Sequence, residues 1–459
     1  MADQRQAALQ YARSNKEKFL NAFKEILAIP SVSTDPERDA DILRAAEWIA
    51  GQLRGLGMQT VKIYPTSKHP IVYGEWLGAP DALTVLMYGH YDVQPADPFD
   101  KWDTNPFDPV VHGEDIFARG ASDMKGQGMV MLAAVESLVK TGGLPVNIKW
   151  LFEGEEEIGS PSLRNFITSH KNLLACDFAM NPDAGMIGKE YPTLTYALRG
   201  LAYFELNVFG PAHDLHSGVY GGVVHNPANA LAELVAGMHD DKGRITLPGF
   251  YDKVRKLTRE DRDELARLPI DDDHFLKETG ALALYGETGF SVNERTGARP
   301  TLDVNGLLSG FTGEGSKTVI PARAMAKISM RLVPDQDPNE VKQQLIHYLE
   351  EHAPGDIRWE LRDLASNPAS ISNRNNAGVR AMESALEAVW GTRPYFRREG
   401  GSIPVVKDMQ DLLGIESVVT GFGLPDDNIH APNEKMHLPT WYRGIEAMIH
   451  FISNLKPQK

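Results

Sequence analysis

Four carboxylates fall within five residues at Glu153-Gly-Glu-Glu-Glu157, directly after the apolar run Trp150-Leu-Phe152. Carboxylates this close repel one another and burial raises the cost, so a cation is expected to neutralise some of them. Other apolar runs end in the same way. Leu83–Tyr88 delivers His90 and Asp92, Phe178–Met180 delivers Asp183, and the stretch from Val418 leads to His430. Asp123, in Arg119-Gly-Ala-Ser-Asp-Met-Lys-Gly126, adds an acid between them. Oxygen and imidazole donors gathered from several strand ends are what a divalent metal cluster needs and a packed core does not. His90 and Asp92 stand two apart, so in extended backbone they share a side, and Asp92 can hold the second ring nitrogen of a ligating His90. Singly, each has a plainer role: a solvated acidic loop for 153–157, a hydrogen-bonded strand-end residue for His90. Their company favours the metal.

Positioning such donors falls to an α/β framework. Residues up to about 196 alternate strand patterns (Thr60–Tyr64, Ile71–Trp76, Thr84–Tyr88, Asn147–Phe152, Asp177–Met180) with helical ones (Ala40–Gly55, Gly126–Lys140). That alternation predicts a mostly parallel sheet flanked by helices, with ligands gathered beyond the carboxyl ends of the strands. After Arg199-Gly200 the pattern changes. Leu201–Phe209 alternates as a half-exposed antiparallel strand does, a helix follows at Pro227–Met238, and a charged, irregular stretch runs to about residue 300. Strands recur at Thr301–Leu307, Ala324–Leu332 and Ile357–Leu364, with a helix opened by a capping box of Asp337 and Glu340 around Pro338. Ser366–Asn376 reads as a polar return linker, before helix Gly378–Val389 and strand Glu416–Thr420. The expected organisation is a larger α/β domain, 1–196 with 375–459, and an inserted α+β domain, 197–374.

At 459 residues the chain exceeds what one core usually supports, which agrees with two domains. A formal net charge of −15 argues against nucleic acid as a partner, because phosphate neutralisation needs a basic surface. The only cysteine, Cys176, lies in an apolar run, so neither a disulfide nor thiol chemistry is expected. No signal-peptide plan opens the sequence and no apolar run is long enough to span a bilayer, so no membrane association and a cytoplasmic location are expected.

Gly89-His-Tyr-Asp-Val93, Arg119–Gly126 and Glu153-Gly-Glu-Glu-Glu-Ile-Gly-Ser160 resemble the signature segments of a co-catalytic, di-zinc metallopeptidase family. That family contains carnosine dipeptidases, aminoacylases, glutamate carboxypeptidases and succinyl-diaminopimelate desuccinylases. The resemblance continues through Asp214-Leu-His-Ser-Gly218, Ser316–Pro321, Met330–Pro334, Glu399–Pro404 and His430–Lys435, and is greatest to the cytosolic nonspecific dipeptidases. It implies two divalent ions per subunit, Zn²⁺ first, with Mn²⁺ or Co²⁺ also suited. His90 and Asp183 would hold one ion, Glu157 and His430 the other, and Asp123 would bridge them. Glu156 would be the general base, Asp92 the orienter of His90, and the Asp123–Met124 peptide bond would be cis. His216 would reach the active site of a partner subunit and stabilise the oxyanion, making the enzyme a homodimer with the inserted domain as lid and dimerisation module.

Arg331 and the Gly400-Gly401-Ser402 backbone are candidate grips for a substrate carboxylate, since a guanidinium binds carboxylate bidentately and glycine lets backbone N–H groups approach. Thr318 joins them by resemblance. His112, His225 and His437 have no convincing partners and are left as structural. One departure stands out: related dipeptidases often carry a substrate-recognising His before the return linker, and Arg362–Ser370 contains none. The expected activity is therefore hydrolysis of dipeptides or short peptides. The alternatives are an amidohydrolase acting on N-acyl or N-carbamoyl amino acids with the same metals, and a non-catalytic binding protein, which the complete set of donors disfavours.

Overall fold

A computed structural model describes residues 2–401 and 403–455. Contacts divide the chain into two compact units, one of Met1–Tyr196, Ser372–Phe396 and Ile403–Lys459, the other of Ala197–Ile371 with Arg397–Ser402.

The first unit is built on a nine-stranded sheet. In spatial order its strands are Thr60–Tyr64, Ile71–Trp76, Asn147–Glu153, Thr84–His90, Phe178–Asn181, Ser417–Thr420, Thr193–Leu198 and Ser370–Ile371, while Tyr395–Glu399 pairs separately with Thr193–Leu198. The four strands at its centre, from Asn147–Glu153 to Ser417–Thr420, run parallel, and the flanking pairs are antiparallel. Central strands buried on both faces explain the unbroken apolar runs Val85–Tyr88 and Trp150–Phe152. Helices Asp39–Gly55, Lys125–Thr141, Ala377–Trp390 and Leu438–Asn454 cover the sheet. Lys125–Thr141 is buried on nearly every side, so its sequence carries little amphipathic contrast. Trp441 locks Leu438–Asn454 in place by stacking on Phe23 at 5.1 Å and donating its indole N–H to Gly126 O at 2.9 Å. Each fully buried large apolar side chain of this kind contributes about 1.5–3 kcal/mol.

Thr84–His90 is two residues longer than its apolar pattern. His90 pairs in register with Glu153, so both donors belong to the sheet.

In the second unit four antiparallel strands lie in the order Thr301–Ser309, Arg323–Leu332, Gly200–Phe209, Arg358–Asn367. Ala324, Ala326, Ile328, Met330 and Leu332 alternate inward and pack with Leu231, Leu234, Val341 and Leu345 from helices Pro227–Gly237 and Pro338–His352. The charged stretch before residue 300 is more ordered than its composition suggests, with short helices at Arg259–Leu265, Asp272–Thr279 and Val292–Ala298. Asp337 caps its helix by accepting from the Asn339 and Glu340 N–H groups, but Glu340 does not return the bond and pairs with Lys253 at 2.6 Å. The expected linker is also partly strand: Ser366 and Asn367 pair with Ala202 and Leu201, and Ser370 and Ile371 with Leu198 and Ala197. Polar composition hid this because an outer strand exposes one face.

Candidate metal centre

Seven of the singled-out side chains converge in the first unit. Asp123 is at their centre. Its Oδ1 lies 3.2 Å from His90 Nε2, and its Oδ2 lies 2.9 Å from His430 Nε2. Asp183 Oδ1 stands 3.9 Å from the same His90 nitrogen, and Glu157 Oε2 stands 3.2 Å from His430 Nε2. His90, Glu156 and Asp183 form a second close donor group beside His90, Asp123 and Glu157. The Asp123–Met124 peptide bond is cis.

Asp92 organises two of these segments. His90 Nδ1 lies 3.1 Å from the Asp92 backbone oxygen and 3.3 Å from its Oδ1, which leaves Nε2 turned toward Asp123. The Asp92 carboxylate also accepts the backbone N–H groups of Glu156, at 3.3 Å, and Glu157, at 3.1 Å. The Gln94 amide then donates to Glu157 Oε2 at 2.8 Å.

The acidic run divides its labour in a way that spacing alone does not reveal. Glu153 turns back into the sheet and accepts from the Tyr88 hydroxyl at 2.7 Å. Glu155 accepts from the His69 N–H, the Thr66 hydroxyl, and the N–H and hydroxyl of Ser162, tying the loop down. Only Glu156 and Glu157 are left for the cluster. Sequence reasoning also passed over Asp427 and Glu434, two fully buried acids that flank His430. The signal for Glu434 was present within the His430–Lys435 segment, but its partners lie more than 300 residues away.

Electrostatics follow from burial. Desolvation pushes Asp183 well above the usual carboxylate range and Glu156 up to about 7, the latter eased by His90 and reinforced by Glu157 and Asp123. Burial acts upward on Asp123 too, but hydrogen bonds from His430 and His90 outweigh it and hold that carboxyl low. The same bonds, to Asp123 and Glu157, push His430 up to about 10. For His90 desolvation works downward and is overcome by Asp123 and Asp92. Five carboxylates thus face two imidazoles, an excess of negative charge even with both rings protonated. Divalent cations would relieve that excess and replace the ring protons, so the donor set fits metal ions.

The other candidates belong to the second unit. His216 ends the two-residue strand Leu215–His216, is exposed, and accepts the Gly218 N–H at Nδ1, 2.9 Å away. Thr318 is exposed beside it, its carbonyl accepting the Ser217 N–H at 3.0 Å. Arg331 stands on the half-exposed sheet face opposite Leu201 and Thr301. Gly401 is exposed, and Ser402 lies outside the described residues. Arg199, unmarked by sequence, donates to Gly400 O at 3.4 Å. Burial, followed by repulsion from Arg331, lowers its pKa to about 10.

No helix among the described residues is long and apolar enough to cross a membrane. Residues 86–454 match the family model described as Peptidase family M20/M25/M40. Cys-Gly metallodipeptidase dug1 of Schizosaccharomyces pombe is 31% identical over 457 residues, covering 96% of each chain. The Beta-Ala-His dipeptidase of Homo sapiens is 30% identical over 461 residues, covering 96% of this chain and 91% of that one. Among solved structures, the M20 family metallo-carboxypeptidase Sso-CP2 from Sulfolobus solfataricus superposes with a TM-score of 0.83 at 34% identity, over 95% of this chain and 99% of that one. The architecture is thus that of M20 structures, and the chain belongs to peptidase family M20/M25/M40.

Proposed function

We propose that this metallopeptidase hydrolyses dipeptides and short peptides, using two divalent ions held by His90 and Asp183 on one side and Glu157 and His430 on the other, with Asp123 between. The observation that carries the reading is Asp123 itself, whose two oxygens turn to two different imidazoles at 3.2 and 2.9 Å. Substrate class is supported by the dipeptidase relatives. When bound, such ions would lower the pKa of the attacking water and polarise the scissile carbonyl.

Glu156 accepts the proton of that water at a carboxylate oxygen and delivers it to the leaving amine. A carboxylate held beside the attacking water can serve both halves of the task, as base and then as acid. Asp92 keeps His90 oriented and, through the Glu156 and Glu157 N–H groups, keeps base and ligand in step. Arg331, Thr318 and the Gly401–Ser402 backbone take the substrate carboxylate. His216 of the partner subunit donates to the developing oxyanion. A homodimer is supported by the outermost strand Thr301–Ser309, an open edge that exposes Leu307 and Leu308. Zn²⁺ is the first choice of metal, with Mn²⁺ or Co²⁺ as substitutes, and the enzyme works in the cytoplasm.

A substrate panel tests the reading. Dipeptides and tripeptides should turn over faster than N-acetyl, N-succinyl or N-carbamoyl amino acids. Turnover of the acylated amino acids alone would make the enzyme an amidohydrolase.

A further inference from the structure

Two buried carboxylates bracket His430 in sequence, and each reaches across to the segment that carries Asp123. Glu434, fully buried, accepts from Arg119 Nη1 at 2.7 Å and from the backbone N–H groups of Gly120, Ser122 and Asp123 at 2.9, 3.0 and 3.1 Å. The Ala118 N–H donates to the Glu434 carbonyl at 3.1 Å, so the two segments also meet backbone to backbone. Asp427, equally buried, accepts the Ser122 hydroxyl at 2.8 Å on the oxygen that also takes the Leu424 N–H at 2.8 Å. Gly423 makes room for that contact, because a Cβ there would lie 2.3 Å from Ser122 Oγ.

Between these two ties the backbone is held in an unfavourable shape. Asn428, His430 and Asn433 have φ of +54°, +60° and +61°, a left-handed conformation that persists only when its surroundings over-determine it. His430 is itself half exposed, and its ring is held by Asp123 at 2.9 Å and Glu157 at 3.2 Å. Those direct contacts are backed on either side in the chain by Asp427 and Glu434, which tie the same stretch of backbone to the Asp123 segment.

We propose that Glu434 and Asp427 are positioning residues, a two-sided clamp that fixes the separation of Asp123 and His430 and thereby the affinity for the ion those residues share. This rests on the two-ion reading above. The clamp acts through its partners and touches neither substrate nor ion. Its loss loosens His430 and Asp123 together, whereas the ion at His90 and Asp183 keeps two ligands that the clamp does not hold.

The test is calorimetric titration of Zn²⁺ into chelator-stripped homogeneous protein, comparing wild type with Ser122→Ala, Asp427→Asn and Glu434→Gln. Glu434→Gln and Asp427→Asn should weaken one of the two ions about 10–100-fold and the other far less. Ser122→Ala, the mildest change and the one least able to disturb folding, should weaken the same ion about 3–10-fold. Turnover lost by the variants should return as Zn²⁺ is raised, which damage to the fold would not allow. Unchanged affinity for both ions in folded Ser122→Ala, or an equal loss at both, overturns the proposal. If the wild type binds a single ion the two-ion reading fails by itself, and the clamp stands or falls on whether that ion weakens in the same variants.

Discussion

The candidate residues of the two units are held in opposite ways. In the first unit the donors at the centre are already engaged: Asp92 faces His90 and two backbone N–H groups, and Asp123 is shared by two imidazoles. In the second, His216 and Thr318 sit exposed on a short two-stranded element, and Arg331 stands on a half-exposed sheet face. The difference teaches where the molecule has invested its constraint. Buried like charges demand a fixed lattice of hydrogen bonds, since a misplaced carboxylate there is costly. Groups that meet a substrate or a second subunit can wait in water at little cost. On this reading first-unit substitutions alter chemistry or metal content, and second-unit substitutions alter recognition and assembly while leaving the ions alone.

The strongest way to break that contrast is Glu156→Gln. It should lower kcat about 10²–10⁴-fold while metal content, read by plasma emission, stays at the wild-type value. Retained turnover would remove Glu156 as base. His216→Ala should cost about 10²–10³-fold in kcat, again with normal metal content. Mixing His216→Ala with Glu156→Gln subunits should restore part of the activity, because one site per heterodimer then has a sound base and a sound partner histidine. Verified heterodimers without activity would count against the cross-subunit role.

Arg331→Met sharpens the recognition side. KM for dipeptides with a free carboxylate should rise about 10–100-fold, the worth of a charge-assisted bidentate contact, while C-terminally amidated dipeptides lose nothing. Equal losses for both would place Arg331 elsewhere in the mechanism.

The smallest effect concerns stability. Burial raises the Glu153 carboxyl to about 8, eased by the Tyr88 hydrogen bond. A carboxyl raised on folding contributes stability that is fully present below its unfolded pKa and is lost as pH rises through the folded one. Glu153→Gln keeps an acceptor for Tyr88 and cannot ionise. Its Tm relative to wild type should improve between pH 6 and pH 9, by about 2–4 °C for each kcal/mol recovered. A pH-independent difference would mean that Glu153 does not titrate in this window.

Much of the framework was legible because it is local. Strand patterns such as Thr60–Tyr64 and Ile71–Trp76 coincide with the observed elements, and Asp337 caps its helix as its position before Pro338 implies. His90, Asp183 and His430 were visible because each follows an apolar run, and the ends of parallel strands collect ligands; Asp123 was visible only as an acid in the segment Arg119–Gly126 lying between them in sequence. What stayed hidden depends on contacts distant in sequence. Nothing in Glu153–Glu157 says that Glu153 will meet Tyr88 or that Glu155 will meet Thr66 and His69. Nor does Ser366-Asn367 look like strand until Ala202 and Leu201 lie beside it. Tertiary pairing decided each of these against local composition.

Anomalous diffraction from crystals soaked in Zn²⁺ tests the central claim most directly. Two peaks should appear, one on each side of the Asp123 carboxylate, the first beside His90 and Asp183 and the second beside Glu157 and His430. A single peak would contradict the bridge, and an ion ligated by Glu156 within the His90 and Asp183 group would contradict the base.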